Sequence, residues 1–273
     1  MNVTVAAVQP AGKRFEFGKN WRQFIKVLTP ERVAAAESSL ISMLSCSTLR
    51  GKTFLDIGCG SGLFSLAARR LGAQVHSFDY DLNSVSCTEE LRRSYFPDDD
   101  KWTVEAGSVL DLAYLLSLPK FDNVYSWGVL HHTGAIWQAI EKASTAVKER
   151  GLLFIALYND QGGMSRRWAM TKKTYVSLPR GAQPLLCACC FAWIYWKRVV
   201  RGALRGRPFE TFENDYRGMS VWRDVVDWVG GYPFEVAQPG DVFEFLHGRG
   251  FQLVRMITTH GSGCNEFVFR KDS

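Results

Sequence analysis

Two carboxylates and three glycines are spaced to hold a small cationic ligand. In the stretch TFLDIGCGSGLFSLAARRLGAQVHSFDYD, residues 53–81, Asp56 lies two residues before Gly58, Gly60 and Gly62 follow at alternate positions, and Asp79 ends the next apolar run. Glycines set this densely let the backbone approach a ligand closely. A dinucleotide fits poorly, because its fingerprint is G-x-G-x-x-G. Here the third glycine comes one residue early and Leu63 stands at the fingerprint's last glycine position. A carboxylate at Asp56 would repel a diphosphate and suits a ligand with an amino group. These residues point to a positively charged nucleoside without phosphates.

A second set of groups has the chemistry to move protons. His131 and His132 follow the apolar stretch 121–128, FDNVYSWG, and so lie just past a strand end that faces the same cleft. His131 is the first candidate for a general base toward a hydroxyl acceptor, with Tyr158, Asp160 and His260 behind it, whereas Glu266 suits a structural role equally well. A positioned base of this kind is worth about 10²–10⁴ in rate.

The elements that must position these groups read as an alternation of strands and helices. Apolar runs at 53–57, 73–78, 102–106, 121–128 and 151–158 are strands, and helical spacing recurs at 31–49, 63–71, 83–96, 136–147 and 239–247. Runs 251–259 and 265–270 are two further strands. Strands alternating with helices predict a doubly wound α/β sheet, which binds ligands outside the carboxyl ends of its strands. The pattern D-x-G-x-G-x-G at 56–62, with Asp79 after the following strand, resembles motifs I and II of the class I S-adenosylmethionine-dependent methyltransferases. The resemblance extends over about residues 50–158.

That resemblance implies a Rossmann-like seven-stranded sheet, mostly parallel with the last strand antiparallel, and S-adenosyl-L-methionine as methyl donor, leaving as S-adenosyl-L-homocysteine. It implies ribose hydroxyls on Asp79, the donor's amino-acid part against Gly58, Gly60 and Gly62 with Asp56 on its ammonium, and adenine near Ser108 and Val109 or Asp111. Trp127 and Gly128 would meet the methionine moiety, Tyr80 would belong to the donor site, and Trp21, from an aromatic segment with Phe15, Phe17 and Phe24, would belong to a flap closing over the donor or to a core-packing helix before the first strand. The motifs look most like the bacterial group labelled after the ubiquinone-pathway O-methyltransferase, which implies O-methylation of an aromatic or lipophilic small molecule. N-methylation, a membrane-associated quinone precursor as acceptor, and a non-catalytic binding protein are the alternatives. A nicotinamide oxidoreductase is disfavoured by Leu63.

The domain plan follows: 1–50 is a helical cap, 51–160 with 236–273 the donor-binding core, and 161–235 a mainly helical insertion too long for a plain connection. Between Met164 and Arg207 stand ten Lys or Arg and no acid, against a net charge of +6 for the chain, so the remainder is net negative. Within it the run 185–196, LLCACCFAWIYW, is too short to span a bilayer, which needs about 20 residues. Two readings of it are open: a buried helix roofing the acceptor pocket, or an interfacial helix whose aromatic and basic residues meet lipid headgroups through 185–207. No nucleic-acid module accompanies the basic patch. Seven cysteines without metal-ligand spacing, and no N-terminal apolar run, give the expectation of reduced thiols, no metal and a cytoplasmic protein, with the inner membrane face as its peripheral extension.

Overall fold

The computed structural model describes Trp21, Ile25 and residues 28–204 and 221–273. Phe15, Phe17 and Phe24 of the expected flap, and Arg205 and Arg207 of the basic flank, lie outside the described residues. Seven strands form one sheet: β1 Thr53–Ile57, β2 Gln74–Asp79, β3 Trp102–Ala106, β4 Phe121–Trp127, β5 Val147–Tyr158, β6 Phe251–Ile257 and β7 Cys264–Lys271, in the order β3-β2-β1-β4-β5-β7-β6. The pairs among β1 to β5 are parallel, and β7 runs antiparallel to both β5 and β6. This is the seven-stranded Rossmann-like sheet with a reversed last strand that the motifs imply.

Helices cover both faces. On one, α1 Pro30–Leu44 and α2 Leu63–Arg70 bury Val33, Leu40 and Leu66 against Phe54, Tyr125 and Phe154. α3 Leu82–Tyr95, capped by the Asp81 carboxylate accepting the Asn83 N–H, packs on β2 and β3. An N-cap of this kind is worth about 1 kcal/mol. On the other face α4 Leu112–Ser117, α5 Ile136–Thr145 and α9 Pro239–His247 bury Leu115, Ile140 and Val242 against Leu55, Val124 and Ile155. The strands buried on both faces are the ones whose sequences read as nearly unbroken apolar runs.

Two boundaries differ from the sequence reading by more than two residues. The first helix stops at Leu44, not 49, because Ser45 turns left-handed (φ 52°) and the Cys46 N–H folds back onto the Ile41 carbonyl. β5 begins at Val147, inside the span expected for the preceding helix, because Val147 pairs with Phe121 and a register shift then carries the chain to the Asn123–Leu152 pair.

After β5 come α6 Gly163–Ser177, α7 Gln183–Leu204 and α8 Val221–Gly230. They share a satellite core of Trp168, Tyr175, Cys187, Cys190, Val225 and Val229, and the chain rejoins the sheet where Ala237 bridges Asn159. The apolar run of α7 is split by this packing: Cys187 and Cys190 face inward, while Leu185, Trp193 and Trp196 face out. Among the described residues no helix is long and apolar enough to cross a membrane.

Candidate active site

The loop leaving β1 is held by its neighbours' backbones and by one side chain. The N–H groups of Gly58 and Cys59 donate to the Phe78 carbonyl at 2.8 and 3.1 Å. Asp79, at the end of β2, accepts the Gly60 N–H at 3.0 Å on one oxygen and the Asp81 N–H at 2.8 Å on the other. Gly58 and Gly60 have φ of +76° and +55°, where a side chain is strained. A Cβ at Gly58 would collide with the Val129 side chain, and one at Gly60 would sit 3.2 Å from the Trp21 indole nitrogen. Gly62 does something else. It stands at the N-cap of α2, away from the cleft wall, and a Cβ there would press on Thr88 at 3.0 Å, so this glycine serves the packing of α2 on α3 rather than a ligand.

Asp56 is buried at the end of a directional relay. The Trp102 indole N–H donates to Ser77 Oγ at 3.0 Å, Ser77 and Ser65 hydroxyls lie 2.7 Å apart, and the Ser65 hydroxyl donates to Asp56 at 2.5 Å. An indole can only donate and an ionised carboxylate can only accept, so the Ser77 hydroxyl donates to Ser65 and the Ser65 hydroxyl to Asp56. Burial nevertheless raises the Asp56 pKa to about 7, with Asp79's charge adding to the rise and the Ser65 bond opposing it. Burial likewise lifts Asp79 to about 6 against the pull of the Asp81 and Gly60 N–H groups. Neighbouring Tyr125, which pairs with Asp56 in the β1–β4 ladder, stacks on Phe64 at 5.0 Å, and its buried hydroxyl has no hydrogen-bond partner among the described residues.

These groups converge on one cleft of about 2050 Å³ at the carboxyl ends of the strands. Typical small-molecule sites span roughly 300–1,000 Å³, so there is room for two ligands. Trp21, Asp56, Gly58, Gly60, Asp79, Tyr80, Ser108, Val109, Trp127 and Gly128 all line it. A smaller hollow of about 540 Å³ lies at the strands' amino ends around Lys52, Asp122 and Arg150. It lacks the glycine loop and lies at the end of the sheet opposite to where such folds bind ligands.

Several assignments shift within the cleft. Ser108 accepts the Leu110 N–H at 3.2 Å, while Asp111 lies off the wall and caps α4 by accepting the Tyr114 N–H. The histidine preference reverses. His131 is fully buried behind Tyr158, whose N–H donates to its Nδ1 at 3.3 Å; burial pushes its pKa well down and it does not reach the cleft wall. His132 does reach the wall, and its Nδ1 lies 2.6 Å from the Pro233 carbonyl. A carbonyl only accepts, so the proton sits on Nδ1 and the basic lone pair on Nε2. The two neighbours differ because they occupy successive positions of the 3₁₀ turn Leu130–His132, which aims one ring inward and the next outward. Asp160 and His260 are not on the wall; Tyr158 is.

Other wall residues lie outside the donor-binding motifs. Arg32, Ala35 and Ala36 come from α1, and Trp127 on the wall donates its indole N–H at 3.1 Å to Glu266 of β7, which lies off the wall and 139 residues away. The insertion supplies Trp168, Trp193, Trp196 and Trp228. Lys172 is buried behind Trp228, 4.2 Å from its ring and donating to its carbonyl, with burial lowering its pKa to about 7. A side chain so placed fixes the tilt of the Trp228 indole.

The arrangement can hold a cation that bears vicinal hydroxyls and an aromatic ring, in a cleft whose remaining wall is aromatic. The family described as "Methyltransferase domain" matches residues 31–186, more than half of the chain. A ribosomal protein L11 methyltransferase of Helicobacter hepaticus is 35% identical over 90 residues, 29% of this chain and 28% of that protein. A ubiquinone biosynthesis O-methyltransferase of Brucella ovis is 32% identical over 111 residues, 41% of this chain and 43% of that one, so the matches span less than half of either relative. The fold is similar to that of magnesium protoporphyrin IX methyltransferase from Synechocystis PCC 6803, solved with bound SAH, at a TM-score of 0.54 and 15% identity over 88% of this chain and 83% of that one.

Proposed function

The chain belongs to the methyltransferase-domain family, whose domain works on S-adenosyl-L-methionine, and on that premise we propose that it methylates a hydroxyl of an aromatic or lipophilic small molecule. One observation carries this reading: the loop tied to Asp79 through Gly60 opens onto a cleft large enough for donor and acceptor together, and His132 stands on its wall. When bound, the donor supplies an electrophilic methyl group on a sulfonium.

The residues fit that group. Asp79 offers two carboxylate oxygens to ribose hydroxyls, and the Gly58–Gly60 backbone forms a cradle that a Cβ would fill. Asp56 and the Tyr125 hydroxyl, which has no partner among the described residues, would hold the donor's ammonium, and the Arg32 guanidinium would suit its carboxylate. His132 Nε2 takes the acceptor's proton while the Pro233 carbonyl, bonded to Nδ1, stabilises the imidazolium that forms. The tryptophans of the insertion exclude water from the line of displacement, which must be collinear and dry. Peripheral membrane contact through 185–207 belongs to the same reading.

The test is turnover. The full chain incubated with S-adenosylmethionine and a panel of phenols, catechols and matched anilines should release S-adenosylhomocysteine with the hydroxylated members. Release with amines only would replace O- by N-methylation, a reading that Asp227 on the cleft wall favours, since a carboxylate there suits a protonated amine. Tight donor binding with no turnover on any acceptor would leave a binding protein.

The two acids also predict a proton signature. Folded and unliganded, they bind more protons than the unfolded chain between about pH 4 and 7, so their contribution to stability falls as pH rises across that window. A cationic ligand favours the ionised forms and drives those protons off. Donor binding should therefore release protons at pH 6.5, read as a calorimetric enthalpy that varies with the buffer's ionisation enthalpy. An enthalpy independent of buffer at pH 6.5 would remove both carboxylates from the ligand's surroundings.

A further inference from the structure

We propose that the outward face of α7 docks on an anionic lipid bilayer and turns the mouth of the cleft toward it, so that the acceptor is a lipophilic molecule drawn from the lipid phase. The choice of acceptor rests on the methyl-transfer reading; the docking does not. Over Leu185, Cys189, Trp193, Trp196, Val200 and Leu204 the helix presents an apolar face to solvent, with Leu185 70% and Leu204 84% exposed. The opposite face is already used, because Cys187 and Cys190 are buried in the insertion's own core. Contiguous apolar surface of this kind marks an interaction site. From Leu185 to Leu204 the face runs roughly 30 Å at 1.5 Å per residue, a length that lies flat on a surface, and no described helix crosses a membrane.

Charge complementarity selects lipid over other apolar partners. The segment 164–207 carries ten Lys or Arg and no acid in its sequence, and among its described side chains Arg166, Arg167, Lys173, Arg180 and Arg201 are exposed. An apolar face carrying tryptophans and flanked by basic residues is the pattern that lies in the headgroup layer of anionic membranes. A second copy of the chain would set this basic segment against itself. The cleft opens on the same side: Trp193 and Trp196 both line it and are 55% and 54% exposed. A lipophilic acceptor would pass along these indoles from bilayer to cleft without crossing water.

Flotation of the full chain with vesicles tests the docking. Recovery should be high with phosphatidylcholine vesicles containing phosphatidylglycerol, and at least tenfold lower with phosphatidylcholine alone. The triple variant Leu185→Glu, Val200→Glu, Leu204→Glu, whose sites lie off the cleft wall, should lose at least tenfold in recovery with unchanged melting temperature and unchanged affinity for S-adenosylmethionine. Equal recovery of variant and wild type overturns the proposal, as does a wild type that binds the donor but never floats, a dimer that the triple variant dissociates, or retention on RNA without flotation. A wild type that floats yet does not bind the donor upholds the docking and ends the methyl-transfer reading instead.

Discussion

Gly60→Val should reduce affinity for S-adenosylmethionine by roughly 100-fold or more, because two independent penalties of about 1–3 kcal/mol meet at one residue and each 1.4 kcal/mol is tenfold. The backbone at Gly60 has φ +55°, which a β-branched residue occupies only under strain, and the new Cβ would sit 3.2 Å from the Trp21 indole on the cleft wall. The Gly60 N–H that donates to Asp79 would move with it, loosening the carboxylate proposed to hold the ribose. Calorimetric titration measures the loss, and a melting curve without ligand separates it from unfolding. Gly60→Ala, which lacks valine's two γ-carbons but keeps the strain, should fall between wild type and valine. A valine variant of unaltered affinity would mean that this loop does not face the donor.

The second large effect is expected at His132. If the acceptor is a hydroxyl, His132→Ala should lower kcat by about 10²–10⁴ while leaving donor affinity within about twofold, since the group acts only as the proton leaves. His131→Phe provides the contrast. That ring is buried and accepts the Tyr158 N–H, so its loss leaves a buried donor unpaired, at a cost of about 1–3 kcal/mol. The phenylalanine variant should melt lower and keep its turnover on hydroxylated acceptors. Interchanged results, with kcat lost at 131 and retained at 132, would restore the inner histidine as base. An alanine variant at 132 with full turnover would point to an acceptor that needs no base, such as an amine.

These two residues mark the line between what a linear reading can and cannot reach. Gly60 and Asp79 are legible because a tight turn after a strand and a carboxylate at the next strand's end are local features, and parallel neighbours bring strand ends together whatever surrounds them. His131 and His132 are adjacent in sequence and chemically identical, so no spacing argument ranks them; the turn at Leu130–His132 decides which ring reaches the cleft. Gly62 carries the motif's spacing yet faces Thr88, because the helix it starts must lie close to α3. Tyr125 reads as one aromatic in a buried strand, and only the β1–β4 register sets it beside Asp56. Glu266 reaches Trp127 through the reversed pairing of β7, which no local pattern of 139 residues' separation records.

The run LLCACCFAWIYW is the sharpest case. Every residue in it is apolar or aromatic, so periodicity offers no inner and outer face, and both a buried roof and an interfacial helix remain open from composition alone. Packing against Trp168, Tyr175 and Val225 buries one side and leaves Leu185, Trp193 and Trp196 on the other. The amino-acid sequence by itself determined the alternation of strands and helices, the acid-and-glycine corner and its preference for a cationic nucleoside, since these follow from local backbone freedom, burial periodicity and charge. Only the tertiary structure decided which histidine meets the cleft, which remote side chains complete its walls and which face of α7 is left to solvent, because those depend on contacts between segments whose separation along the chain leaves no trace in either one.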